Sequence, residues 1–264
     1  MTRNDQALDN MIDTPDDIIT EKIINNRKRV RSHGEVFTPS RIVKKMLSLP
    51  SIKEACEDLT ATFLEPGAGE GAFLVEILKR KLRIVERFHG EPLKRYENYA
   101  LLALSTLYGI ELLDDNVKSC VQKLNRTFYD AYLKQLEKHG RRAKPSVLSS
   151  ADLIITKNIV QGDFLKKLSS TGKPVVLSEW RVLNLTDYPV ILNVQRTEYT
   201  LEEIEHDVSK RAGARVNSSE PKQLSLPISG FSENHEEEHR VVFSGRFAPC
   251  SITSVYREEL IDVE

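Results

Sequence analysis

The segment Phe63-Leu64-Glu65-Pro66-Gly67-Ala68-Gly69-Glu70-Gly71-Ala72-Phe73-Leu74 carries the densest chemical information in the chain. Ala61–Leu64 reads as a short buried strand. Phe73, Leu74, Ile77, Leu78 and Leu82 recur at the three-and-four spacing of an amphipathic helix over 71–86. Between strand and helix stand glycines at 67, 69 and 71. Glycine admits positive φ and lets backbone amides approach a ligand closely, and a helix N-terminus offers amides without intrahelical partners. A strand–turn–helix junction of this kind usually suits a dinucleotide. Here Glu65 and Glu70 flank the glycines. They would repel a pyrophosphate and favour a ligand with a positive centre.

That preference points to S-adenosylmethionine, whose sulfonium and α-ammonium groups are cationic. The run from Glu65 to Leu74 resembles motif I of the DNA adenine-N6 methyltransferases, the DNA-methylase subunits of restriction–modification systems. Upstream, Gly34-Glu35-Val36-Phe37-Thr38-Pro39 is similar to that family's other cofactor-side motif, and the two occur in the family's order. The resemblance covers roughly residues 15–166. It implies an α/β fold with a Rossmann-like methyltransferase sheet and S-adenosylmethionine as cofactor. It gives cofactor contacts to Phe37, Thr38, Pro39, Glu65, Pro66, Gly67, Gly69 and Gly71. Leu107-Tyr108-Gly109-Ile110-Glu111 ends a strand with an acid, which in the family accepts hydrogen bonds from both ribose hydroxyls. A carboxylate suits that task, having two acceptor oxygens and no donor. Asn158 through Leu165 resembles the third cofactor motif, in which Asp163 would accept from the adenine amino group and Phe164 would pack on the ring. Taken alone, each acid also reads as a strand-ending carboxylate with nothing bound, and Thr38-Pro39-Ser40 as a helix start. If Glu111 serves only the ligand, Glu111→Ala weakens binding and leaves stability nearly unchanged.

The target side of the resemblance is incomplete. The family's catalytic motif joins Asn, Asp or Ser to two prolines and an aromatic residue. Its polar groups accept from the target amine and its ring stacks on the flipped base, which aligns the nitrogen with the methyl group. The chain contains no Pro-Pro dipeptide. At the expected place, after Val175-Val176-Leu177, stands Ser178-Glu179-Trp180-Arg181, so Ser178 and Trp180 are the local candidates for hydrogen bonding and stacking. An ordinary strand with alternating faces is the plainer reading of the same residues.

Other features bound the answer. Apolar residues are 40% and charged residues 29%, which permits a normal core. Lys plus Arg is 38 and Asp plus Glu 39, so any nucleic-acid surface must be a local patch. Arg27, Lys28, Arg29 and Arg31 form the densest such patch, read either as cations at a helix C-terminus or as phosphate contacts with DNA. The three cysteines, Cys56, Cys120 and Cys250, are odd in number and far apart, which excludes a disulfide framework and suggests the cytoplasm. No apolar run is long enough for a membrane span. His235-Glu236-Glu237-Glu238-His239 formally matches a zinc-protease helix but has no apolar face, so no metal is expected.

These motifs sit on a pattern of strands alternating with helices, which predicts a parallel α/β sheet. Residues 1–14 read as a flexible leader and 15–200 as a cofactor-binding domain with N-terminal helices. Thr14-Pro15 opens a helix to about Val30, and Ser40 caps another to about Leu49. Helices are expected at 93–106, 114–138 and 147–156, with a strand at Asn158–Gln161. Val175–Val182 and Val190–Gln195 read as a hairpin, 201–240 as a mobile polar segment, and 241–264 as short strands at Val241–Phe247 and Ile252–Tyr256. The leading functional expectation is methyl transfer to adenine N6 in DNA, in a restriction–modification or mobile-element setting, with a partner subunit for recognition or catalysis. The alternative is a cofactor-binding subunit or regulator without the chemistry. The Thr38-Pro39 motif argues against a methyltransferase for small molecules or proteins.

Overall fold

The computed structural model describes residues 38–185, 189–216 and 245–262. Helices α1 (Ser40–Leu47) and α2 (Pro50–Glu57) precede β1 (Phe63–Glu65). Helices α3 (Ala72–His89) and α4 (Leu93–Ser105) connect β1 to β2 (Leu107–Glu111), and α5 (Asp114–His139) and α6 (Pro145–Asn158) connect β2 to β3 (Ile159–Gln161). The three strands form a parallel sheet in the order β1-β2-β3, with Glu65 opposite Gly109 and Glu111 opposite Gln161. Parallel neighbours need long crossovers, and the paired helices provide them.

The main core lies in the helical layer. Every residue of α4 from Tyr96 to Ser105 is buried, so this helix is enclosed on all sides. Its one carboxylate, on Glu97, accepts from the Tyr132 hydroxyl and the Lys144 ammonium, both at 2.6 Å. Lys81 of α3 is fully buried and donates to the carbonyls of Asp58 (2.8 Å) and Ala61 (2.7 Å), which fixes the chain where it enters β1.

Beyond β3 the topology changes. β4 (Val176–Val182) and β5 (Asn193–Thr200) pair antiparallel, Val176 opposite Thr200 and Val182 opposite Val194. After β5 come α7 (Leu201–Glu205), β6 (Arg246–Phe247), β7 (Cys250–Ser251), a 3₁₀ turn over Ile252–Arg257, and β8 (Leu260–Ile261). β7 extends the hairpin sheet at β5, while β6 and β8 pair separately. The hairpin covers the second face of the parallel sheet: Val175, Leu177 and Leu201 pack on Ile110, with Tyr108, Val160 and Phe164 around them. At its other end the Trp180 indole N–H donates to Asn158 Oδ1 at 2.9 Å, and the Asn158 amide donates to the carbonyls of Ser105 and Leu107.

Several expected boundaries move. The helix expected from Ser40 to Leu49 ends at Leu47, because Pro50 opens a separate helix and disfavours helical backbone before it. The strand expected at Val190–Gln195 begins at Asn193 and runs to Thr200, since pairing with all of β4 sets its register. Residues 201–205, expected to be mobile, are a helix closed by a capping box between Thr200 and Glu203. Ile252–Tyr256 is not a strand: Ile252 and Val255 are three apart, and a 3₁₀ turn brings both into the core. That places the C-terminal stretch within the main core rather than as a separate piece. The leader, the helix to Val30 and residues 217–240 lie outside the described residues.

Burial lowers the Lys81 pKa from the usual 10.5 to about 8. Between those values the folded state binds fewer protons than the unfolded one, so stability rises with pH across that window. Lys81→Met is expected to remove this rise in denaturant titrations at pH 8, 9 and 10. An unchanged slope would place the ammonium in contact with water.

Candidate functional site

Because the three central strands are parallel, their carboxyl ends lie together. They carry Glu65 on β1, Glu111 on β2 and the turn beyond Gln161 on β3. Ligands of open parallel sheets bind at this end. Gly69 (φ +52°) and Gly71 (φ +84°) adopt the left-handed backbone that lets β1 turn directly into α3. At Gly71 a Cβ would come 2.5 Å from Cys120 Sγ, so α5 presses on that side of the turn. At Gly67 and Gly69 a Cβ would meet nothing within 4 Å, which leaves the opposite side open. Burial pushes the Cys120 thiol up to about 12, so it is a packing group rather than a nucleophile.

Three acids face this turn in different ways. Glu111 is almost fully buried, and its carboxylate accepts from the backbone N–H of Gly69 (2.8 Å) and of Leu113 (2.9 Å). Asn116 Nδ2 approaches the second oxygen at 3.5 Å. Glu70 is neutralised by Lys123 at 2.5 Å, from the neighbouring helix α5. Glu65 is half-buried, burial pushes its carboxyl above the usual carboxylate range, and it has no hydrogen-bond or ion-pair partner among the described residues. A desolvated carboxylate of this kind favours a cation brought to it. The sequence marked Glu65 and Glu111 but gave no sign of Lys123, whose pairing with Glu70 depends on tertiary contact.

The remaining cofactor-side candidates are positioned as follows. Asp163 Oδ1 accepts from the N–H groups of Leu165 and Lys166, both at 3.0 Å, and its other oxygen lies 3.0 Å from the Lys166 ammonium. These hydrogen bonds hold its pKa below the usual range and close a tight local turn. Phe164 packs inward against the cluster around Ile110. Pro66 is exposed at the rim of the glycine turn. Thr38 leads into Pro39, whose carbonyl accepts from Ile42 and Val43 at the start of α1. No hydrogen bond joins Thr38 to the glycine turn among the described residues. Phe37 and the cluster Arg27, Lys28, Arg29 and Arg31 lie outside them.

Ser178 and Trp180 do not meet the expectation of a target-binding pair. Both are buried, at 1% and 6% exposure. The Ser178 hydroxyl accepts from Arg196 Nε at 2.9 Å, and the Trp180 ring belongs to the main core. Being two apart on β4 they share a face, turned toward Arg196 and the main core, while Leu177 on the other face packs on Ile110 and Ser178 also lies at the wall of the groove beside β1. Arg196, itself buried, also holds Glu198 and Glu258 and lies 4.3 Å from the Phe247 ring centre. These residues join the C-terminal stretch to the hairpin.

A groove of about 530 Å³ runs beside β1, lined among others by Leu64, Tyr108, Leu177, Glu179, Tyr199 and Asp207, and does not include the glycine turn. Among the described residues there is no cluster of metal-binding side chains and no helix long and apolar enough to cross a membrane. No family model, curated protein or solved structure matches this chain.

The two backbone bonds at Glu111 correct the expectation that it serves only a ligand. Glu111→Ala leaves two amides without their acceptor and is expected to destabilise the ligand-free protein by about 1–3 kcal/mol. Denaturant titration of the variant measures this; unchanged stability would mean that the carboxylate does not hold the turn.

Proposed function

We propose that this chain binds S-adenosylmethionine at the Gly67–Gly71 turn, as a Rossmann-like cofactor-binding chain of the DNA adenine-N6 methyltransferase type. The observation that carries this reading is Glu65, a desolvated carboxylate without a hydrogen-bond or ion-pair partner among the described residues, at the open side of a glycine turn whose other wall is Glu111. Glu65 would take the ligand's α-ammonium group. Glu111 would accept from the ribose hydroxyls while keeping its backbone bonds, since a carboxylate has about four acceptor sites. Asp163 retains acceptor capacity for the adenine amino group on the adjacent strand end. The bound cofactor supplies an electrophilic methyl group on sulfur.

The acceptor half is a different matter. A target amine needs an acceptor beside it and a ring to stack its base. Ser178 and Trp180 supply neither, because one is engaged by Arg196 and the other by the core. Their burial favours the second reading: the isolated chain is a cofactor-binding subunit or regulator, and methyl transfer to adenine in DNA requires acceptor groups from a partner.

Titration calorimetry of the full chain with S-adenosylmethionine tests the first reading. Binding is expected, and it should weaken as pH falls through the raised range of Glu65, because the protonated carboxyl no longer offers a charge. Glu65→Gln should weaken binding and flatten that pH dependence. Gly69→Asp meets open space at its Cβ but is strained at φ +52°, so it should lose some stability, still fold and not bind. Absence of binding, or full affinity in both variants, would refute the site. A radiolabelled transfer assay on unmethylated DNA tests the second reading: the chain alone should show no turnover, and turnover by the chain alone would overturn it.

A further inference from the structure

The hairpin that closes the second face of the parallel sheet stops short of β1. Leu177 and Leu201 cover Ile110, but Leu64, opposite Tyr108 and on the same face, is 43% exposed. Parallel sheets are ordinarily covered on both faces. The uncovered place is the groove of about 530 Å³ beside β1, a volume typical of small-ligand sites. Its far side is α7 with the residues after it, and there Ile204 and Val208 are 44% and 42% exposed. Three apolar side chains thus meet water around one concavity, which single exposed ones scattered over a surface do not.

The charged groups of this groove are of one sign. Glu179, Glu203 and Asp207 line it, and among the described residues no lysine, arginine or histidine does. Glu179 is two residues from Leu177 on β4 and so shares the face turned to the parallel sheet. Tyr199 stands opposite Leu177 on β5, and its hydroxyl reaches the Glu179 carboxylate. Burial, and after it the Glu179 charge, push the hydroxyls of Tyr108 and Tyr199 up from the usual tyrosine value, so that charge acts between the two rings. Tyr108 donates to the Ser178 carbonyl at 3.0 Å, which fixes its ring as a wall. Glu179 and Asp207 have no ion-pair partner among the described residues. Glu203 shows what such a carboxylate takes here: the Lys210 ammonium lies 2.6 Å from it and 5.3 Å from the centre of the Tyr199 ring. An ammonium shared by a carboxylate and a tyrosine face is therefore already one arrangement at this wall.

We infer that the groove beside β1 binds a small organic cation, an ammonium group carried on an apolar or aromatic body, with the body on Leu64 and Tyr108 and the ammonium toward Glu179 and Asp207. An uncharged body would cover these carboxylates without supplying a counter-charge, and an anion would be repelled. A cation without an apolar body would leave Leu64, Ile204 and Val208 in water. The glycine turn is not part of the groove, so this site goes beyond the proposed cofactor site and does not depend on it.

Amide chemical-shift titration of the full chain with three probes of similar shape tests this: tryptamine, the uncharged indole-3-ethanol and the anionic indole-3-propionate. Tryptamine is expected to bind and to shift residues 62–64, 177–179 and 207–209. Indole-3-ethanol should bind about tenfold more weakly, the loss that goes with one hydrogen bond to a charged group, and indole-3-propionate more weakly still. Glu179→Gln and Asp207→Asn should each weaken tryptamine and together bring it to the affinity of indole-3-ethanol, with the fold kept. Glu205→Gln, whose carboxylate pairs with Lys167 outside the groove, should change nothing. The inference is overturned if tryptamine does not bind, if the three probes bind alike, if the double variant keeps wild-type affinity, or if the shifts fall on residues 67–71. Tryptamine affinity should be the same in Gly69→Asp and under saturating S-adenosylmethionine. Displacement by S-adenosylmethionine would overturn the separate site, whereas failure of the cofactor to bind at the glycine turn would leave these titrations unaltered.

Discussion

The carboxylate of Glu111 joins the two strand ends on which the site depends. One oxygen receives the Gly69 amide from the turn after β1, and the other receives the Leu113 amide at the end of its own strand. A charged acceptor bound by two backbone donors is stronger than neutral hydrogen bonds and costs more to remove. It also sets the direction of the turn. With Gly69 drawn toward β2 and Gly71 pressed by Cys120, the free side of Gly67 and Gly69 must face outward. The openness of the glycine turn therefore follows from a bond 42 residues long in sequence.

Around this point the three acids are sorted by their neighbours. Glu70 is neutralised by Lys123, Glu111 is consumed largely by backbone amides, and Glu65, half-buried, meets no compensating charge among the described residues. An incoming cation would find Glu65 the most rewarding of the three. The hairpin plays the opposite part. By packing Val175, Leu177 and Leu201 on Ile110 and anchoring Trp180 on Asn158, it closes the second face of β2 and β3. The side chains that could have served a target base are thereby used as core.

Much of this was legible from sequence. The strand–turn–helix from Phe63 to Leu74, the acid closing β2 and the strand before Asp163 were marked by glycine spacing, apolar periodicity and short apolar runs, although the first strand is Phe63–Glu65 rather than Ala61–Leu64 and is half-buried, with Leu64 exposed. These signals are local, and local signals survive folding. The orientation of β4 was not legible, because alternation in Val176–Val182 says that Ser178 and Trp180 share a face without saying which way it points. Ile252–Tyr256 has the β-branched residues of a strand, but the tertiary core selects the spacing of three between Ile252 and Val255 and the stretch forms a 3₁₀ turn. The capping box at Thr200 and Glu203 has a local sequence pattern, Thr followed three residues later by Glu, but the acidic residues around it give the same segment the composition of a polar linker. Pairings such as Lys123 with Glu70, or Arg196 with Ser178 and Glu258, join distant segments and leave no local trace.

The central claim is that the turn held by Glu111 is where S-adenosylmethionine binds. Amide hydrogen exchange of the full chain, with and without the ligand, tests it most directly. The account predicts new protection at residues 66–71 and 111–113, with little change along β4 and β5. Protection confined to the groove lined by Leu64, Tyr199 and Asp207, or none anywhere, would contradict it.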